Sequence, residues 1–477
     1  MSPVRGLYLA GAARAATSNR TFAVDDPATG LRLAEVADAT PEDGIAAVDA
    51  AARSAKQWAA LAPRARAVIL GRVYATLQER REEFAALITA EMGKTLAEAR
   101  AEVDYGSEFF RWFAETAPRL HLDGGSGLEP GGNYRILTST RPVGICLLIT
   151  PWNFPLAMAA RKIAPALAAG CTVILKPAAQ TPLTSLLLAE LLTECGVPAG
   201  VVNVVPCTDA PAVIAAIMRD PRLRKLSFTG STQVGRVLLE QAAHGVLRTS
   251  MELGGNAPLI VFDDADLEQA IAGSLVAKLR NGGQSCIAAN RIYVQRGIAE
   301  RFIAGFSAAM QSTRPGDGRL DDSDIGPLID ERQRDKVISL VDDAVTKGAT
   351  VVVAGGAVDG LMFAPTVLTD IPLDAALREE EIFGPVAAIY VFDDEAEVID
   401  AANDTPYGLV SYVFTQNVNR ALRVADALDT GMTGINRGVV SNAAAPFGGT
   451  KASGLGREGG AEGILEYLET KYVGIEL

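Results

Sequence analysis

The sequence predicts an α/β protein, built from two doubly wound parallel α/β domains in succession with a small β element at the periphery. Three observations predict it. After Pro142 short apolar runs without alternation are each followed by a helix-forming stretch, the pattern of buried parallel strands with crossover helices. The same pattern restarts near Ala257. Two strand-like pieces, 132–140 and 472–475, fit neither run.

The elements follow in order. Leu7–Gly11 and Thr21–Val24 read as short strands about a turn, which also accounts for an N-terminus carrying Arg5, Arg14 and Arg20 better than a transit peptide does. From Pro41 to Leu120 apolar residues recur at helical spacing, as in Val68, Leu70, Val73 and Leu77. The first α/β run then reads strand 144–149, helix 159–169, strand 171–176, helix 184–194, strand 201–205, helix 210–218, strand 225–228 and helix 232–243. The second reads strand 258–262, helix 267–279, strand 291–294 and helix 299–310, with further strands at 350–353, 386–391 and 409–414. The spacing places a cleft between the two runs as the default site. Peripheral strands such as Tyr134–Thr138 and Tyr472–Ile475 are suited to pair with another subunit's sheet edge, so a homodimer or homotetramer is expected.

Composition removes several classes. A chain of 477 residues exceeds one core, and 49% apolar with 21% charged residues is globular. A net charge of −13 argues against general nucleic-acid binding, and no uninterrupted apolar run suits a membrane span. The five cysteines are scattered and include no CxxC, which fits a reducing compartment, here the cytoplasm, and no metal site. With only His121 and His244 available, in unrelated contexts, a histidine-based triad is disfavoured as well.

Three residues then carry chemistry. Cys286 ends the polar loop Arg280-Asn281-Gly282-Gly283-Gln284-Ser285-Cys286. A lone cysteine is usually a packed thiol, but a glycine-rich polar loop is a poor place to bury one. The same loop lets the Cys286 amide face an oxyanion. Glu252 stands at the seam between the runs, before Leu253 and two glycines. A surface charge is the ordinary reading of a glutamate; one desolvated at a domain seam has a raised pKa and can serve as a general base. Asn153, held in Pro151-Trp152-Asn153-Phe154-Pro155 after the first parallel strand, reads as a turn former or as an oxyanion donor. There is no GxGxxG. Instead Gly230, Ser231 and Gly235 lie between a strand and a helix, where a phosphate can be received, and Lys176 ends a neighbouring strand.

Together these pieces resemble the aldehyde dehydrogenase superfamily over essentially the whole chain. The motifs PWNFP, FTGSTQVG, ELGGNAP, GQSC, EEIFGPV and PFGGTKASGLGRE occur in the family's order and spacing. The resemblance implies the aldehyde dehydrogenase-like fold, with a dinucleotide-binding domain at 1–121 and 143–252, a catalytic domain at 253–453, and an oligomerisation element at 122–142 and 454–477. It implies Cys286 as nucleophile, Asn153 as oxyanion donor, Glu252 as the base for hydrolysis, and Glu458 as a proton-relaying carboxylate. Retention of Glu252 disfavours transfer to coenzyme A. For the cofactor it implies Trp152, Lys176, Ala179, Gly230, Ser231, Gly235, Leu253, Glu381 and Phe383.

Within the superfamily the closest similarity is to succinate-semialdehyde dehydrogenases. That subgroup binds the substrate's distal carboxylate with two arginines and a serine, which matches Arg161, Arg291 and Ser441, with Phe447 beside them. Ala179 stands where NAD-preferring relatives have a glutamate that would repel the extra phosphate, so NADP is expected, with NAD the alternative. Ala288 replaces the second cysteine with which some members form a disulfide. The nearest rival reading is glutarate-semialdehyde oxidation, since one methylene is worth only about 1–3 kcal/mol in a pocket. The rival of another class, a retired enzyme serving as a binding protein, has no reason to keep Cys286, Glu252 and Asn153 together.

Overall fold

The computed structural model describes residues 4–119 and 125–477, so the expected boundary at 121–122 lies outside the described residues. Its first sheet has eight strands. Their order is Ala12–Arg14, Leu7–Leu9, Val202–Val204, Thr172–Lys176, Ile145–Ile149, Leu223–Thr229, Arg248–Glu252 and Gly454–Leu455. The five inner strands from Val202–Val204 to Arg248–Glu252 run parallel. Every residue of Ile145–Ile149 and Thr172–Lys176 is buried, as the unbroken apolar runs require of strands covered on both faces. The helix Pro155–Ala169 packs on one face and is buried along its whole length. The helical segment expected before it resolves into Pro41–Ala60, Pro63–Glu79, Arg81–Met92 and Leu96–Thr116. Thr40 and Asp43 form a reciprocal capping box that starts the first of these.

The second sheet has seven strands, ordered Thr350–Val353, Thr366–Thr369, Val386–Phe392, Ala289–Gln295, Ala257–Val261, Val410–Phe414 and Met432–Ile435. It departs from the expected parallel arrangement at one edge, where Thr350–Val353 runs antiparallel to Thr366–Thr369. A third sheet joins Leu468–Glu476, Tyr134–Pro142 and Ser126–Leu128, all antiparallel. The tail expected to belong wholly to this peripheral element is shared. Gly454–Leu455 pairs with Met251 and Glu252 at the edge of the first sheet instead.

Register places the site. Ile149 pairs with Lys176, Phe228 with Ile149, and Thr229 with Glu252, so the carboxyl ends of these strands form one edge. The loops that leave this edge carry Asn153, Gly230 and Leu253. Among the described residues, no helix is long and apolar enough to cross a membrane.

Candidate active site

Asn153 follows directly from that edge, and its backbone is clamped. Its carbonyl oxygen accepts from the Lys94 ammonium at 2.8 Å and from the Asn281 amide at 3.1 Å. Lys94 is itself ion-paired with Glu102, whose other oxygen accepts from the Leu156 and Ala157 amides at the start of the helix Pro155–Ala169. The Asn153 side-chain nitrogen donates to the Gln284 carbonyl at 3.0 Å. That bond fixes the amide against the loop that delivers Cys286.

The loop turns through left-handed backbone at Asn281, Gly282 and Gly283. A Cβ at Gly283 would lie 2.2 Å from the Gly384 carbonyl oxygen, and one at Gly255 2.5 Å from that of Cys286, so glycine at both is a condition of the close packing here. Cys286 is half-buried, and its amide makes no backbone hydrogen bond within the described residues. Burial pushes the thiol up to about 12, with Arg161 opposing and Glu381 and Glu252 reinforcing. At neutral pH the thiol of the free protein is therefore protonated. Alkylation by iodoacetamide should still climb close to tenfold per pH unit at pH 9 to 10, because the thiolate fraction grows until the pKa is passed. A rate that levels off below pH 8 would show a thiol already activated.

Glu252 ends the strand Arg248–Glu252 and is buried. Its carboxylate is withdrawn over Gly448, where a Cβ would come within 3.0 Å of it, and one oxygen has no hydrogen-bond partner. Burial, and then the like charge of Glu458, hold Glu252 well above the usual carboxylate range. Glu458 itself lies between Arg161 and Lys162. Burial opposes its charge, but the two cations outweigh that and keep it below the ordinary value.

A cavity of about 530 Å³ opens onto Cys286, and its lining falls into two groups. One group holds Trp152, Gly230, Ser231, Leu253, Glu381 and Phe383. Trp152 and Phe383 meet edge to face at 5.4 Å. Ser231 caps the helix Thr232–His244, and Gly235 in that helix lets Leu253 pack where a Cβ would come within 2.5 Å. Lys176 and Ala179 are not part of this lining; Lys176 is 8% exposed with no ion-pair partner among the described residues, and Ala179 is half-buried. Glu381 is desolvated and pushed up to about 7. An unmet ammonium, a buried carboxylate and an open helix N-terminus suit ribose hydroxyls and phosphates, so the residues present fit a nicotinamide dinucleotide.

The second group corrects one expectation. Arg161 lines the cavity as expected, its guanidinium 4.2 Å from the Phe447 ring centroid, Nε against Glu458 and Nη2 buried without a partner. Ser441 and Phe447 line it too. Arg291 does not. Its guanidinium donates to the carbonyls of Asn256, Ala401 and Ala402 at 3.0, 3.0 and 2.9 Å. Five residues past Cys286 the chain is already inside the strand Ala289–Gln295, and the side chain is spent capping the helix Glu395–Asn403. Of the two other arginines in the lining, Arg280 and Arg332, Arg280 stands with this group: it donates to Ser441 Oγ at 3.0 Å and lies 4.9 Å from the Phe154 ring centroid. The available signal was its place in the loop itself, at the last residue before Asn281 and the glycines.

Comparison with known proteins agrees with this geometry. Residues 14–473 match the model of the aldehyde dehydrogenase family. The chain is 53% identical to a succinate-semialdehyde dehydrogenase of Paenarthrobacter nicotinovorans, covering 93% of this chain and 98% of that protein. It is 48% identical to the NADP(+) succinate-semialdehyde dehydrogenase of Escherichia coli K12, over 97% and 96% of the two chains. It is 46% identical to a glutarate-semialdehyde dehydrogenase of Pseudomonas putida KT2440, over 98% and 97%. Among solved structures, an NADP-dependent enzyme of E. coli superposes with a TM-score of 0.97 at 46% identity, covering 99% of this chain and 98% of that one.

Proposed function

Because the chain belongs to the aldehyde dehydrogenase family, we propose that it oxidises succinate semialdehyde to succinate with NADP, through a covalent intermediate on Cys286. The observation that carries the substrate assignment is a pair of arginines, Arg161 and Arg280, in the cavity that Cys286 lines. One of them has an unpaired buried nitrogen and the other is oriented by Ser441. A guanidinium's planar fork pairs with a carboxylate in two places, which suits an aldehyde whose far end is an anion.

The Cys286 sulfur, once deprotonated, adds to the aldehyde carbon. The Asn153 side-chain nitrogen and the Cys286 amide stabilise the resulting alkoxide. NADP, when bound, supplies the acceptor for the two electrons and the hydrogen of that carbon's C–H bond. Lys176 and Glu381 would hold its ribose, with Gly230, Ser231 and Gly235 along its phosphates and Trp152, Leu253 and Phe383 about the nicotinamide end. Ala179 leaves room for the additional phosphate. The acyl group is then a thioester of Cys286. Glu252 takes a proton from water as its oxygen adds to the acyl carbon; the C–S bond breaks and the acid leaves. Aldehyde, water and oxidised cofactor thus give carboxylate, reduced cofactor and two protons. Glu458 acts as a positioning residue, orienting Arg161 and raising Glu252.

The three-stranded peripheral sheet, with much of both longer strands exposed, supports a homodimer or homotetramer. The five free cysteines support a reducing compartment, the cytoplasm.

A steady-state matrix tests the proposal: succinate semialdehyde, glutarate semialdehyde and butanal, each with NADP and NAD. We expect kcat/KM for succinate semialdehyde to exceed that for butanal by about 100-fold or more, as loss of charge-assisted hydrogen bonds implies, and NADP to exceed NAD. Comparable values for the charged and neutral aldehydes would refute the substrate class. Higher kcat/KM with glutarate semialdehyde would reassign the chain length.

A further inference from the structure

The helix Leu96–Thr116 brings one more polar atom to the cavity. Glu102 touches the first turn of the helix Pro155–Ala169, so the residue one turn further along, Tyr105, falls opposite Met158 and Arg161. The two helices approach so closely that a Cβ on Gly106 would lie 3.2 Å from Ala157 Cα. Tyr105 packs against Phe154, Ala157 and Met158, and its ring meets Phe109 edge to face at 5.0 Å. The ring is thus fixed, and it lines the cavity.

Its hydroxyl oxygen is buried, and among the described residues its O–H has no acceptor. Neither does Arg161 Nη2 nearby. The phenol oxygen can accept from Arg161, but a guanidinium has only N–H groups, so the phenol O–H finds no acceptor there. Phe154, Met158 and Phe447 offer none either, and Ser441 Oγ already accepts from Arg280. A buried donor left this way is costly unless something brought into the cavity accepts from it. The charges that bear on the phenol are Arg161 and Arg280, the pair assigned to the anion, and more weakly Glu458, which is held by Arg161 and Lys162.

We propose that Tyr105 is a specificity-determining residue, its phenol donating a hydrogen bond to the distal carboxylate of the substrate. The anion is then met by two guanidinium groups and two hydroxyls, those of Tyr105 and Ser441. This rests on the substrate class proposed above.

Tyr105→Phe tests it, because the ring and its contact with Phe109 are kept and only the donor is removed. With saturating NADP, KM for succinate semialdehyde should rise about tenfold or more, the loss expected for a hydrogen bond to a charged group, and kcat should stay within about twofold. KM for butanal should not rise. If wild type prefers succinate semialdehyde but Tyr105→Phe leaves its KM unchanged, the role of Tyr105 is overturned and the substrate class stands. Equal losses on both aldehydes would mean that Tyr105 only packs, which also overturns it. A wild type without preference for the charged aldehyde overturns both.

Discussion

Glu252→Gln should give one turnover and then almost stop. In the proposed mechanism the carboxylate is not needed while sulfur adds to the aldehyde and the carbon is oxidised. It is needed when water must lose a proton to attack the thioester. Glutamine keeps the size of the side chain but cannot accept that proton. Rapid mixing should therefore show a burst of absorbance at 340 nm close to one equivalent per Cys286, followed by a steady rate lower by about 10²–10⁴, the usual worth of a positioned base. Intact-protein mass spectrometry of the quenched variant should find the acyl group still on Cys286. The pH profile supplies a second reading. Burial and Glu458 raise the Glu252 pKa; below it the carboxyl is protonated and cannot act as a base, so the wild-type steady rate falls with pH from a point above the ordinary carboxylate range. The variant should lack that acid limb. A Glu252→Gln protein whose burst and steady rate fall together would place Glu252 in the first half-reaction instead.

What the sequence made legible is local. Cys286 stood out because a glycine-rich polar loop is an unusual setting for a thiol, and Asn153 because two prolines fix it after a buried strand. Ala257–Val261 and Leu267–Leu279 lie within a residue or so of where apolar pattern put them. The strand Arg248–Glu252 was not legible from the same signal. Its sequence, Arg-Thr-Ser-Met-Glu, is polar, yet its last three residues are buried: Ser250 pairs with Lys225 and Glu466, Met251 packs in the apolar core, and Glu252 lies in the field of Arg161 and Lys162. The clamp on Asn153 is likewise long-range: Lys94 reaches it across 59 residues, Asn281 across 128 and Gln284 across 131. Periodicity carries no information about such partners, since what pairs them is the packing of one domain's helices on the other's loop. The arginines illustrate the same limit. Arg280 and Arg291 flank Cys286 in sequence, and only the onset of the strand Ala289–Gln295 decides which one faces the cavity.

That decision has a measurable consequence. Arg280→Ala should raise KM for succinate semialdehyde by about 100-fold, because it removes the proposed charge-assisted contact to the distal carboxylate and frees Ser441, which Arg280 orients. Turnover at saturation should be largely kept, since Arg280 does not touch the reacting carbon, and kinetics with butanal should scarcely change. Arg291→Ala should do the reverse. The Asn256 and Ala402 carbonyls would lose a buried donor, while that of Ala401 keeps Tyr293, a cost of about 1–3 kcal/mol for each group left unsatisfied. Melting temperature and yield should fall, while KM for succinate semialdehyde in the folded fraction stays near wild type. Arg161 is the less informative position. Its removal would leave buried Glu458 with Lys162 alone as an ion-pair partner among the described residues, and Glu458 acts on Glu252, so the base and the substrate site would be disturbed together. A selective KM effect at Arg291 with none at Arg280 would contradict the geometry. Arg280 therefore separates recognition of the distal charge from the chemistry at Cys286, which no substitution at Arg161 can do.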